Sequence, residues 1–551
     1  MKISAIAFML SAFLSTNIEA HHTNPLQTDT LEQKTNSLQE LLNSGKDLHD
    51  SFGMNDYSGF VDSVNNVYRK FRMDCNKKYA EFVREAWKQY NAEPPVEKPQ
   101  MNKIRVIPVA DTTQRVTTAA YKVAKVVRKP SKRAQPSPIF KIPEEKPFLL
   151  DDMPEARKDI EFNKDAITSL KIAGSESGHE SNIGYEWTEF YFYGTKCKVR
   201  LGKSNKFILK DCQANTIADT WLTLSDARFS NAIKDCLTLR DAGQLCDWAY
   251  LQMLKSLSET FCGEGTNEAT MLTAYIYCQS GYKMRLATVD DKLYMLYGTK
   301  NRLYNNFQYY IIEDAFFYPL QKCENNYMDI CNVAYPKEQE LSLLVWTEQR
   351  FNMKPTDSRS IQSYRYPELT VEVDENKNLI DFYNSYPSPE GEENFMTRWV
   401  MYANTPMSSH ARAAIYPTLH KQLEGCTQLE AVNKLLNFVQ TGFVYKLDDE
   451  VWGEDRAFFA DETLFYPYSD CEDRSILFSR LVRDLLGMRV ALVYYPGHLA
   501  TAVHFDESVD GDCIMVENDK YVICDPTYTH ACAGWTMPQM DNNTATAILL
   551  E

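Results

Sequence analysis

Three consecutive pieces of residues 469–528 decide how this chain reads: SDCEDRSILFSRLVRDLLG (469–487), MRVALVYYPGHLATAVHF (488–505) and YVICDPTY (521–528). Ser469 and Asp470 can cap a helix that opens at Cys471 and ends at Gly487, with Ile476, Leu477, Leu481, Leu485 and Leu486 on one apolar face. Pro496-Gly497 is a turn that delivers His498 to an alternating strand. Period two puts His498, Ala500, Ala502 and His504 on one face and Leu499, Thr501, Val503 and Phe505 on the other. In the third piece Asp525 shares a face with Tyr521 and Ile523, and Pro526 ends the strand. A thiol in a helix's first turn lies by unpaired N–H groups and the positive end of the dipole, which favours the thiolate. Glu472 and Asp473 oppose that effect, so a nearby imidazolium is needed. Cys471, His498 and Asp525 are therefore expected to act as nucleophile, base and orienting acid.

The same order recurs upstream. The stretch from Gly265 to Gly281 reads as a helix and is followed by YKMRLATVDDKLYMLY (282–297) at the same offset, which places Gly265 under Cys471 and Lys292 under His498. A duplicated core is expected, with a first copy that lacks the chemistry. Around it, residues 186–201 and 206–212 (KFILKDC) read as strands, and four helical stretches follow up to Gly281. Residues 352–405 lean towards strand, with DENKN (374–378) as a turn between two of them. Two further helices end at Gly425 and Gly442.

The chain has 551 residues, 44% of them hydrophobic and 12% aromatic, enough for more than one core. A net charge of −16 and a pI near 5.2 disfavour nucleic acid as a partner, because phosphate binding needs a basic face. Residues 1–20, MKISAIAFMLSAFLSTNIEA, have a leading lysine, an apolar run too short to span a bilayer and a small residue at the end, as a secretory signal does. Export to a periplasmic or extracellular space is expected, with no lipid-attachment cysteine and no later membrane-crossing segment. In an oxidising compartment some of the fourteen cysteines would pair. The organisation follows: signal peptide 1–20, helical N-terminal region 21–91, basic proline-rich linker 92–180, α+β domain 181–335 read as the degenerate copy, β-rich segment 336–410, and catalytic domain 411–551.

Asp470-Cys471-Glu472-Asp473, Gly497-His498 and Asp525-Pro526-Thr527, with Glu462-Thr463-Leu464 as lead-in, resemble the core of the transglutaminase-like superfamily. The motif region covers about Leu429–Gly534, roughly a fifth of the chain. The resemblance implies an α+β, papain- or transglutaminase-like core in which a cysteine-bearing helix packs on an antiparallel sheet bearing histidine and aspartate. It also implies a cysteine hydrolase or acyltransferase acting on a protein or peptide substrate through a thioester, without a cofactor. Where relatives carry an aromatic residue shortly after the histidine, this chain has Leu499-Ala500-Thr501, which leaves the substrate groove undefined. The Cys471 N–H is one candidate oxyanion donor, and Gln440 and Trp452 are side-chain candidates for a second. A catalytically silent binding or scaffold protein of the same fold is the competing reading. A metal site made of Cys471, His498 and Asp525 is disfavoured, because such wide spacing lacks paired close ligands.

Overall fold

The computed structural model describes residues 57–86 and 186–550, except 300–301, 304–308, 314, 324–326, 346, 388, 391–397, 453–454 and 517. The expected signal peptide, the linker and most of the N-terminal region lie outside the described residues. The chain divides into two compact units, Met1–Asp74 and Cys75–Glu551. Helix α1 spans Tyr57–Ala86. In its later part Tyr79, Ala80 and Val83 recur at helical spacing and are buried, and Asn76 Oδ1 accepts the indole N–H of Trp221 at 3.1 Å. Among the described residues no helix is long and apolar enough to cross a membrane.

The larger unit is mixed α+β and runs through one topology twice. In the first pass, hairpin β1 (Thr188–Phe192) and β2 (Thr195–Val199) is followed by helices α2 (Ala214–Leu224), α3 (Ser230–Gly243), α4 (Asp247–Cys262) and α5 (Asn267–Gln279). Strands β3 (Met284–Val289), β4 (Lys292–Thr299), β5 (Tyr310–Ile312), β6 (Ala315–Pro319) and β7 (Asp329–Cys331) then form an antiparallel sheet in the order β5-β6-β4-β3-β7.

The second pass opens on hairpin β8 (Arg359–Gln362) and β9 (Thr370–Val373). Helices α6 (Lys377–Asn384), α7 (Arg398–Asn404), α8 (Ser409–Leu423), α9 (Gln428–Gly442), α10 (Ala460–Phe465) and α11 (Cys471–Leu486) follow. Strands β10 (Val490–Tyr495), β11 (His498–His504), β12 (Cys513–Val516), β13 (Asp519–Cys524) and β14 (Thr546–Leu549) form the second antiparallel sheet, in the order β12-β13-β11-β10-β14.

Strand for strand the two orders are the same. In each pass the last helix before the sheet, α5 or α11, packs on its two central strands, and the hairpin packs on the two helices that correspond, α3 and α4 or α8 and α9. The match extends to register: Val289 pairs with Lys292 and Tyr495 with His498, each across a two-residue turn. The shift that sets Lys292 on His498 also sets Gly281 on Gly487, and both glycines have positive φ just past their helices, where a side chain would be strained. The passes differ most where α4 joins α5 through Gly263–Thr266 alone, while residues 443–470 intervene between α9 and α11.

One hydrophobic cluster joins the halves: Leu251, Trp221 and Tyr275 of the first belong with Phe382, Trp399, Phe459, Ile476 and Leu499 of the second. Two sequence expectations are corrected. Residues 206–212 are not a strand; the Leu209 N–H goes to the Glu268 side chain at 2.9 Å, so the segment is held by side chains rather than by a ladder. Residues 374–378 are not a turn between strands, because Asn376 accepts the Asn378 N–H and caps α6, burying Leu379, Ile380, Phe382 and Tyr383. The 336–410 segment is therefore helical as well as stranded.

Candidate active site

Cys471 is the first residue of α11, and His498 is the first of β11. Leucine and aliphatic residues of α11 pack on the face of β11 that carries Val503, while Ala500 and Ala502 turn to the other face with Tyr495, Tyr521 and Ile523. The Leu499 N–H lies against the Cys471 sulfur, and Ser475 Oγ donates to Leu499 O at 3.0 Å. Thiol and imidazole are thus brought to the same end of one strand.

His498 Nε2 lies 2.9 Å from Asp525 Oδ2, with both residues 2% exposed. The other carboxylate oxygen, Oδ1, accepts the Thr527 N–H at 2.9 Å and the Thr527 hydroxyl at 2.6 Å. Burial alone would raise the pKa of Asp525, but the histidine charge and these hydrogen bonds hold the carboxyl below its usual range. His498 Nδ1 is buried and has no hydrogen-bond partner. The ring is anchored on one nitrogen and free on the other.

The thiol is not in the state that its helix position suggests. Cys471 Sγ donates to Glu472 Oε2 at 3.1 Å. Burial, then the charges of Glu472 and Asp470, push the thiol well above its usual value, and the single Leu499 N–H does not offset them. Glu472 faces Arg398 Nη2 at 3.9 Å, and that guanidinium is bonded to Asp455 at 2.9 and 3.0 Å.

The segment between α9 and α11 supplies the surroundings. Val444-Tyr445 pairs in parallel with Tyr468-Ser469, which sets Tyr445 beside the start of α11. Arg474, fully buried, donates to Ser469 Oγ at 3.1 Å, Gln440 O at 3.2 Å and Phe443 O at 2.9 Å, and its guanidinium lies over the Tyr445 ring at 5.3 Å. The Tyr445 hydroxyl, the Trp452 indole N–H and both carboxylate oxygens of Asp470 are buried without partners. Buried polar atoms are paired as a rule, so an unused Tyr445 hydroxyl on the strand that pairs with Ser469 is unusual.

The chain matches no family model, no curated protein and no solved structure. What the site can do rests on its own geometry.

Of the two side chains expected as oxyanion donors, Gln440 is occupied: its Nε2 donates to Asp525 O at 3.0 Å and Ala531 O at 3.2 Å, and its Oε1 accepts the His530 N–H at 3.1 Å. It ties α9 to the loop after the aspartate instead. Trp452 stands over Arg456 and meets Phe458, Tyr466 and Tyr468 edge-on, with its N–H unused. Tyr445 escaped the sequence reading, because a two-residue strand has no periodicity to detect.

Carboxylates gather next to the thiol. Oxygens of Asp448, Asp470 and Asp473 lie within 4.8 Å of one another, as do those of Asp448, Asp455 and Glu472. Burial and mutual repulsion push Asp448 up to about 10 and Asp470 and Asp473 well above the usual range. Their oxygens are of the type a hard cation takes.

At the matching positions of the first pass the chemistry is missing. Ala502 pairs with Ile523 and Leu296 with Pro319, and two residues further along lie Asp525 and Gln321. Lys292 is exposed, and the Gln321 amide donates to Thr270 Oγ1 at 2.9 Å. The Cys471 thiol is in no disulfide, as a nucleophile requires. A surface cleft of about 530 Å³ lined by Lys354, Arg359, Glu375, Lys377, Leu464 and Phe465 contains none of the predicted site residues.

Proposed function

We propose that the chain is an exported cysteine acyl-transfer enzyme with a transglutaminase-like, papain-like core, acting on amide bonds of a protein or peptide. The observation that carries this reading is the free, buried Nδ1 of His498, on a ring whose Nε2 is fixed by Asp525 and which starts the strand whose next N–H meets the Cys471 sulfur. In the reaction Cys471 gives its proton to His498 Nδ1 and the sulfur attacks the amide carbon. The C–N bond then breaks, and the same proton leaves with the amine. Water adds to the thioester and releases the acid, which makes hydrolysis the favoured outcome. An amine in place of water would give crosslinking by the same path.

The test is covalent. p-Nitrophenyl acetate should acetylate Cys471, located by peptide mass, and the modification should be lost in Cys471→Ala and slowed at least about a hundredfold in His498→Ala. Wild-type protein that is not acetylated at Cys471 sinks the proposal.

One observation favours a second reading. The thiol is bonded to Glu472 and 2% exposed, as suits a catalytically silent binding protein that keeps the fold. Iodoacetamide that spares Cys471 below about pH 9 would support it.

A further inference from the structure

We propose that Tyr445 is the side-chain donor that stabilises the oxyanion formed at Cys471, a role that rests on the acyl-transfer reading above. Attack of sulfur on an amide carbon moves the carbonyl π pair onto oxygen, and catalysis needs fixed donors where that charge appears. The first donor is the Cys471 N–H, which lies in the first turn of α11 and so has no acceptor within the helix. The second has to be an unused donor held close to the same turn.

Tyr445 meets both conditions. Its backbone pairs with Ser469, two residues before Cys471, and its ring lies under the guanidinium of Arg474, three residues after it. The ring is thus clamped from either side of the nucleophile. Its hydroxyl is enclosed and has no acceptor. Burial keeps the phenol protonated and able to donate. Gln440 has both amide hydrogens committed, and Trp452 is packed among Arg456, Phe458, Tyr466 and Tyr468. The first pass of the fold lacks the segment that carries Tyr445 and lacks the cysteine as well. Donor and nucleophile occur together or not at all.

In the step assigned here, the Tyr445 O–H and the Cys471 N–H donate to the carbonyl oxygen as the C–S bond forms. They keep their protons when the tetrahedral species collapses, the C–N bond breaks and the amine leaves with the proton from His498.

Two reagents separate this role from a structural one. Acetylation of Cys471 by p-nitrophenyl acetate passes through an oxyanion, whereas alkylation by iodoacetamide does not. In Tyr445→Phe the acetylation rate should fall roughly 10²–10³-fold while alkylation stays within about threefold of wild type. An unchanged acetylation rate, or an equal loss of both rates, overturns the assignment, as does a selective loss in Trp452→Phe instead. If Tyr445→Phe does not fold, 3-fluorotyrosine at this position keeps the shape and sharpens the donor. Faster acetylation then supports the role and an unchanged rate overturns it. Failure of both reagents to modify Cys471 in the wild type overturns the acyl-transfer reading itself.

Discussion

Asp525 is held from two sides, by the His498 ring at 2.9 Å on one oxygen and by Thr527 on the other. The carboxylate cannot turn away from the imidazole without giving up these hydrogen bonds and a third from the Tyr528 N–H at 3.2 Å. It therefore fixes which ring nitrogen is left for the thiol. Asp525→Asn should lower the rate of Cys471 acetylation about 10³–10⁴-fold with little loss of fold, since an amide supports the wrong tautomer. Thr527→Val, which loosens the carboxylate but keeps its charge, should cost about tenfold. Equal effects of the two substitutions would show that orientation, not charge, is what Asp525 contributes.

Glu472 acts against ionisation of the Cys471 thiol. Its carboxylate accepts the thiol hydrogen and adds negative charge where a thiolate would form. Glu472→Gln should therefore move the midpoint of the pH profile for iodoacetamide labelling of Cys471 downwards, by about one pH unit or more. An upward move would mean that the carboxylate serves as the thiol's base.

Among the buried carboxyls before α11, Glu462 and Asp461 make stability depend on pH near neutrality. Burial raises Glu462 to about 7 against the pull of Arg456, and Asp461 to about 6 against hydrogen bonds from Ser408. In the unfolded chain both titrate near pH 4. Their contribution is fully present below that value and is lost as pH rises through the folded values, because there the unfolded state has released protons that the folded state retains. Asp525 is lowered and has the opposite slope, but it acts only below about pH 4. Tm is expected to fall between about pH 5 and pH 8; a rising profile by scanning calorimetry would contradict this assignment.

Arg474 is a structural cation with three neutral acceptors: Ser469 Oγ, Gln440 O and Phe443 O. Arg474→Leu leaves those buried acceptors unpaired and should destabilise the protein by about 3 kcal/mol or more in urea unfolding. It should also slow acetylation of Cys471, since the Tyr445 ring loses its support. Arg474→Lys keeps charge but not the fork, and an intermediate loss is expected.

Periodicity and flanking turn residues were enough to read α11, β10, β11 and β13: Leu477, Leu481 and Leu485 share a helix face, and Ala500 and Ala502 alternate with Leu499 and Val503. The pairing of His498 with Asp525 follows from those faces. Other features arise only in three dimensions. The thiol's raised state comes first from burial, which no spacing records, and only then from Glu472 and Asp470, its neighbours along the chain. Gln440 is polar and close to the site, which suggested a donor, but its hydrogens are used by Asp525 O and Ala531 O. Gln321 was invisible because loops of different length separate β4 from β6 and β11 from β13, so an ungapped register fails there. Residues 374–378 misled for a local reason, since asparagine and aspartate serve turns and helix caps alike.

Two sheets with one strand order, one ending in His498 and Asp525 and the other in Lys292 and Gln321, give the molecule its own blank. Amide hydrogen exchange can be followed on β3 and β4 and on β10 and β11 in the same sample. A ligand that slows exchange equally in both has tightened the scaffold. One that acts on β10 and β11 alone has bound at the sheet that carries His498, with the correction for everything else already built into the chain.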